Sequence, residues 1–344
     1  KAYLFQVDEK GDILPNDKQK LSQLNAEGTK APYHLINVAL NLQNSDDPEL
    51  RGRACDFFIF SKHFVGSVRT GFCPTATMET FDRHLGLGTA MAISGAAAAP
   101  NMGTSTIKSL VFILALLNIR LGYWLPNPFV QRKPWYLRGP LLGVGPLFLM
   151  KEFFSKIDEK SRYVNLSDGG HIENLGVYEL LRRRCKFIIA CDGEADPDLR
   201  FASLVKLIRF ARIDMGIDIE INLADLRKQQ TRLSSQHGAM GKIHYSKDET
   251  GYLLYIKASI TGDENVYIRD YQQRHPLFPH ESTADQFFDE AQFEVYRALG
   301  HHVVKKLNID IIKTQTRKGQ RNGDEIEQLF ATLETQLQPR TSPP

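Results

Sequence analysis

Cysteine is scarce in this sequence: Cys55, Cys73, Cys185 and Cys191 occur with no C-x-x-C spacing. That excludes a disulfide-dense scaffold. Cys185 and Cys191 bracket an apolar strand-like run, which predicts reduced, buried thiols suited to a reducing compartment. Long hydrophobic runs are also missing. The longest is Leu110 to Leu117 (LVFILALL), ended by Asn118 and Arg120. A membrane-spanning helix needs about 20 apolar residues, so this stretch reads as a core helix. Net charge is nearly absent, with 43 Lys and Arg against 40 Asp and Glu giving +3. So balanced a chain lacks the electrostatic footprint of a nucleic-acid binder. The opening residues KAYLFQVDEKGD contain no apolar core of a signal peptide. They start at Lys1 rather than Met, which reads as an excised or processed piece of a longer protein.

What is present is an ordinary globular composition, 42% hydrophobic and 24% charged, with a helix–strand alternation. Residues 1–30 read as a polar hairpin or loop region. HLINVALNLQ reads as a strand, and CDFFIFSKHFVGSVRTGF as one or two more. GLGTAMAISGAAAAPNMG is a small-residue segment that lets backbones approach closely. Residues 104–121 read as a helix capped by Thr104 or Ser105, Leu125 to Gly145 as a long irregular loop, and 147–157 as a short amphipathic helix. RYVNLSDGG, NLGVYELLRRR and KFIIACDGEADPD then read as strand, helix and apolar strand, a parallel β-α-β unit. SLVKLIRFARIDMGIDIEINL repeats helix then strand. GYLLYIKASITG is a further strand, and ADQFFDEAQFEVYRALGHHVVKKL a long helix. The expected fold class is α/β with a mainly parallel central sheet flanked by helices. Residues 1–311 are expected to form the main α/β domain. Residues 312–344 form a polar linker, a short helix near EQLFATLETQL and a tail.

In such sheets functional groups collect at the carboxyl ends of strands. Two Asp-Gly pairs fall there, Asp168-Gly169-Gly170 and Asp192-Gly193. Either is explained by a tight turn. The first, with two glycines and then Glu173 and Asn174 near a helix start, also sets a carboxylate at a corner where backbone amides can hold it. An exposed carboxylate, titrating near pH ~4, can take a proton from a serine hydroxyl held within hydrogen-bond reach. The nucleophile elbow G-x-S-x-G, which places such a serine on a strained turn, does not occur among the 344 residues. Ser94 comes closest, in Ala92-Ile93-Ser94-Gly95-Ala96, whereas Ser105 is better explained as a helix cap.

Other motifs carry bland explanations. His171-Ile172-Glu173 echoes an H-x-E metal site but lacks the accompanying P-C-x-x-C. Gly86-Leu87-Gly88 is too short for a nucleotide fingerprint. His301-His302 reads as a solvated or capping pair, and Arg182-Arg183-Arg184 as cations at a helix C-terminus. Phe287, Phe288, Phe293 and Tyr296 read as a core stripe.

The block SDGGHIENLGVYELLRRRCKFIIACDGEADPD resembles the end of the patatin and cytosolic phospholipase A2 catalytic domain. There an Asp-Gly-Gly turn carries the aspartate of a Ser–Asp dyad. AMAISGAAAAPNMG resembles the small-residue segment of that family, and FPHESTADQFFDEAQFEVYRALG the closing region of large bacterial patatin-like proteins. The resemblance covers roughly residues 33–300. It implies a three-layer acyl-hydrolase fold, here incomplete, and a lipid acyl hydrolase acting on phospholipid or other lipid esters. Asp168 would be the dyad base, on a turn made by Gly169 and Gly170.

Ser94 falls on a serine that is structural in the family, so the nucleophile and the glycine-rich oxyanion loop are expected N-terminal to Lys1. The resemblance implies no cofactor, metal or nucleic-acid partner. It implies a cytoplasmic location or one peripheral to the inner face of the membrane, with the 107–121 segment and a Trp124/Trp135 loop as an interfacial lid. Two rival readings stay open: a non-catalytic binding or scaffold domain that keeps the fold, and a self-sufficient hydrolase using Ser94.

Overall fold

Alternating burial organises the first half of the chain. In the strand Leu35–Asn41, Ile36, Val38 and Leu40 enter one apolar core together with Phe58 and Phe60 of Cys55–Ser61 and Val164 and Leu166 of Tyr163–Asp168. A period of two fits one face of a pleated sheet. The computed structural model describes residues 5–7, 13–15, 19–24, 32–45, 47–50, 53–95, 122–131, 158–228, 233–282, 285, 287–307 and 322–337. The chain divides into two compact units, Lys1–Asn174 and Leu175–Pro344.

In the first unit β1 (Phe5–Val7) and β2 (Ile13–Pro15) pair as an antiparallel hairpin. The main sheet contains β3 (Leu35–Asn41), β4 (Cys55–Ser61), β5 (Phe64–Ser67), β6 (Gly71–Pro74), β7 (Tyr123–Pro126) and β8 (Tyr163–Asp168). Its order is β6-β5-β4-β3-β8-β7, and every neighbouring pair is antiparallel. The mainly parallel sheet expected from the sequence is therefore not what forms. The reason lies in the connections: the links β4–β5 and β5–β6 are far too short for the crossover that a parallel neighbour requires. Helices α1 (Thr75–Phe81) and α2 (Leu87–Ser94) follow, and α2 delivers Leu87, Ala90 and Ile93 to the core. The small-residue segment is thus helical up to Ser94.

The expected loop from Leu125 begins instead within β7, and a short helix α3 (Pro128–Gln131) follows. Trp124 pairs opposite Asn165 and packs against Tyr163 with 7% exposure. That burial removes Trp124 from any surface lid. Trp135, the 104–121 helix and the 147–157 helix lie outside the described residues. Among the described residues no helix is long and apolar enough to cross a membrane.

The second unit carries α4 (Tyr178–Arg182), β9 (Phe187–Asp192), α5 (Ala202–Met215), β10 (Asp218–Ile221), β11 (Gly238–His244), β12 (Thr250–Lys257), α6 (Val266–Arg274), α7 (Glu290–Lys306) and α8 (Asn322–Gln336). Its sheet has the order β10-β11-β12-β9, and only β9 and β12 are parallel. The expected β-α-β unit from Asp168 to Asp192 fails, because β8 pairs in the six-stranded sheet and β9 in the four-stranded one. Alternate residues of β12 feed two cores. Leu253 and Tyr255 pack with Ile188, Leu204 and Leu207, while Leu254 and Ile256 pack with Leu299, Val303 and Phe330. This sheet is covered by helices on both faces.

Four further expectations change here. β9 is an edge strand with Ile189 and Cys191 exposed, so Cys191 is not a buried thiol; Cys185 is half-buried. Only Tyr296 of the aromatic stripe packs against the core, while Phe287, Phe288 and Phe293 are exposed, Phe287 at 94%. The long helix starts only at Glu290, where Asp289 accepts a hydrogen bond from the Gln292 amide at 2.7 Å. Arg182 and Arg183 both bond Glu179, which is nearly buried, so an ion-pair cluster holds them beyond any helix dipole.

Candidate functional site

Asp168 is the last residue of β8 and the cap of a 3₁₀ turn over Gly169–His171. One carboxylate oxygen accepts from the Gly170 amide at 2.7 Å. The carboxylate is half-buried and has no ion-pair partner among the described residues. A side chain at either following position would collide with its neighbours. A Cβ on Gly169 would sit 2.6 Å from the Asn37 carbonyl oxygen, and one on Gly170 would sit 2.2 Å from Asn174 Oδ1. The Gly169 carbonyl then accepts from the Ile172 and Glu173 amides at 3.1 and 2.9 Å, which closes the corner.

Register fixes which way the corner faces. Asp168 lies opposite Val38, and opposed residues of an antiparallel pair share a face. That face carries Val38, Val164 and Leu166 and is covered by α2. Ser94 ends α2, and its hydroxyl donates to the Asn37 carbonyl at 2.8 Å. The structure therefore brings Ser94 and the Asp168 corner to the same stretch of β3. The printed bond of Ser94, however, goes to backbone rather than to the carboxylate.

The opposite face holds a polar chain with no sequence motif of its own. Asn41 Nδ2 donates to Asn165 Oδ1 at 2.8 Å and to Ser167 Oγ at 3.0 Å, and Ser167 Oγ lies 3.1 Å from His171 Nδ1. All four side chains are buried, so pairing them avoids the cost of unsatisfied polar groups. His171 is tied into this chain, and Glu173 is also buried. The only sequence signal was polar Asn and Ser at the inward positions of strands otherwise rich in apolar residues.

The second Asp-Gly pair behaves differently. Asp192 Oδ1 meets Lys257 Nζ at 2.9 Å, both side chains being essentially unexposed, and Asp192 Oδ2 accepts from Tyr255 Oη at 2.5 Å. Burial, with the Asp192 charge beside it, pushes the Tyr255 phenol far above its ordinary value. Asp192 is thus engaged by Lys257 and Tyr255, whereas Asp168 is engaged by the Gly170 amide.

No family model and no curated protein matches the sequence. A solved structure does resemble it. Human GIVD cytosolic phospholipase A2 aligns at 15% identity with a TM-score of 0.47, over 96% of this chain and 47% of that one. The chain thus spans about half the length of that phospholipase.

Proposed function

We propose that this chain belongs to a lipid acyl hydrolase in which Asp168 is the base of a Ser–Asp dyad. The observation that carries the reading is a half-buried carboxylate held by one backbone amide, on a corner whose two glycines cannot be replaced without collision. The SDGG, ENLG and IIACD segments, in that order, support it from the sequence.

The serine oxygen attacks the ester carbonyl carbon while its proton passes to the Asp168 carboxylate. The alcohol leaves with that proton, and water then releases the acyl group by the same exchange in reverse. Backbone amides of a glycine-rich loop would hold the oxyanion. The serine belongs to a G-x-S-x-G segment outside residues 1–344. The proposed substrate is a phospholipid or another lipid ester, met at a membrane surface from the cytoplasmic side.

Ser94 is the second reading, favoured by its place on the α2-covered face of β3. Turnover of a p-nitrophenyl ester by the full-length protein separates the possibilities. Asp168→Asn is expected to abolish it and Ser94→Ala to preserve it. Equal, non-zero rates in wild type and Asp168→Asn would eliminate the dyad, and no turnover above the uncatalysed rate in wild type would favour the non-catalytic scaffold. Loss in Ser94→Ala would move the nucleophile to Ser94.

A further inference from the structure

In the second unit the turn after β12 and the last turns of α7 gather four metal-ligating side chains that no sequence motif links. His237 precedes β11, Asp263 and Glu264 sit in the turn from Thr261, and His302 projects from α7. Their ligand atoms all lie within 4.8 Å of one another. We propose that His237, His302, Asp263 and Glu264 bind a divalent transition-metal ion of the zinc class, which ties α7 to the β11–β12 edge.

Geometry comes first. Tetrahedral zinc with arms of 2.0–2.2 Å separates its ligand atoms by about 3.4 Å. His302 Nε2 and Asp263 Oδ1 are already 3.2 Å apart, and since no pair is separated by more than 4.8 Å, the other donors close on an ion by up to about 1.4 Å.

Orientation comes second. His237 is 1% exposed, and its Nδ1 lies 3.0 Å from Ser259 Oγ. Ser259 in turn donates to the Lys257 carbonyl at 3.2 Å. Nδ1 thus faces Ser259, while Nε2, 3.2 Å from Thr261 Oγ1, is the ring nitrogen on the side of the cluster.

Charge comes third. Two carboxylates face the cluster, and the cation beside them is Lys306, which bonds Asp263. Its side chain is 57% exposed and swings to solvent as an ion enters. Glu264 is held by the amides of Thr261 and Gly262 at 2.6 and 2.9 Å and keeps lone pairs for a further bond. Nitrogen and oxygen donors in this ratio suit zinc and exclude magnesium or calcium, which take oxygen cages.

The site has no part in the proposed ester hydrolysis, so either proposal can fail without the other. The test is calorimetric titration of the EDTA-dialysed full chain with zinc chloride, against His302→Gln, Asp263→Asn and Lys306→Met. The first two positions are partly exposed, and circular dichroism verifies that the variants fold. One zinc per chain is expected, with affinity at least about tenfold weaker in His302→Gln and Asp263→Asn and equal or tighter in Lys306→Met. No binding by the wild type would overturn the site, as would undiminished binding by either ligand variant.

Discussion

Ser94 and Gly169 converge on one atom, the carbonyl oxygen of Asn37. The serine hydroxyl donates to it at 2.8 Å, and a Cβ on the glycine would lie 2.6 Å from it. The helix α2 and the Asp168 corner are thereby registered against the same residue of β3. Ser94→Ala deletes this hydrogen bond at a half-buried position. It should cost about 0.5–1.5 kcal/mol in urea unfolding while the fold persists.

The two glycines should differ. Asn37 is rigid backbone in a central strand, so Gly169→Ala forces the corner to move and should cost about 1–3 kcal/mol. The atom facing Gly170 ends a side chain, that of exposed Asn174, which gives more easily than backbone. Gly170→Ala should therefore be the milder substitution. Thermal denaturation of the two variants side by side checks the order.

The Lys257–Asp192 pair predicts strong asymmetry. Lys257→Met leaves a carboxylate buried without its cation and should cost about 3–5 kcal/mol. Replacing both residues with apolar ones should cost less than replacing Lys257 alone. A double-mutant cycle in denaturant measures the difference.

His280 supplies the pH dependence. Burial, with Lys257 and Lys228 nearby and Asp196 opposing them, lowers its pKa to about 4 from an ordinary 6.5. The folded state disfavours the charged ring, so this contribution is fully present above pH ~6.5 and is lost as pH falls towards 4. Between those values the wild type should lose up to about 3 kcal/mol relative to His280→Gln. Unfolding curves at pH 7, 5.5 and 4 in EDTA test the sign.

Local elements were legible where period and punctuation agreed. Ile36, Val38 and Leu40 alternate cleanly, and α5 stops at Gly216, whose φ of 66° suits glycine. Strand partnership was not legible. The strand YVNLSD reads the same whether its neighbours run parallel or antiparallel, and only the β4–β5 and β5–β6 pairs have links short enough to fix their direction. β11 was missed because Gly238, Gly241, Lys242 and His244 break its apolar pattern. Asp168 was visible through its two glycines, whereas Asn37 contributes only a backbone oxygen, which no sequence reveals. The His237–His302 cluster joins residues far apart in the chain, and its spacing matches no short motif.

The most direct measurement is kcat/KM of the full-length protein on phospholipid vesicles, wild type against Asp168→Asn. Asparagine keeps the oxygen that accepts from Gly170 and removes only the proton-accepting charge. A fall of about 10²–10⁴-fold with an unchanged melting temperature is predicted. An unchanged kcat/KM would contradict the account.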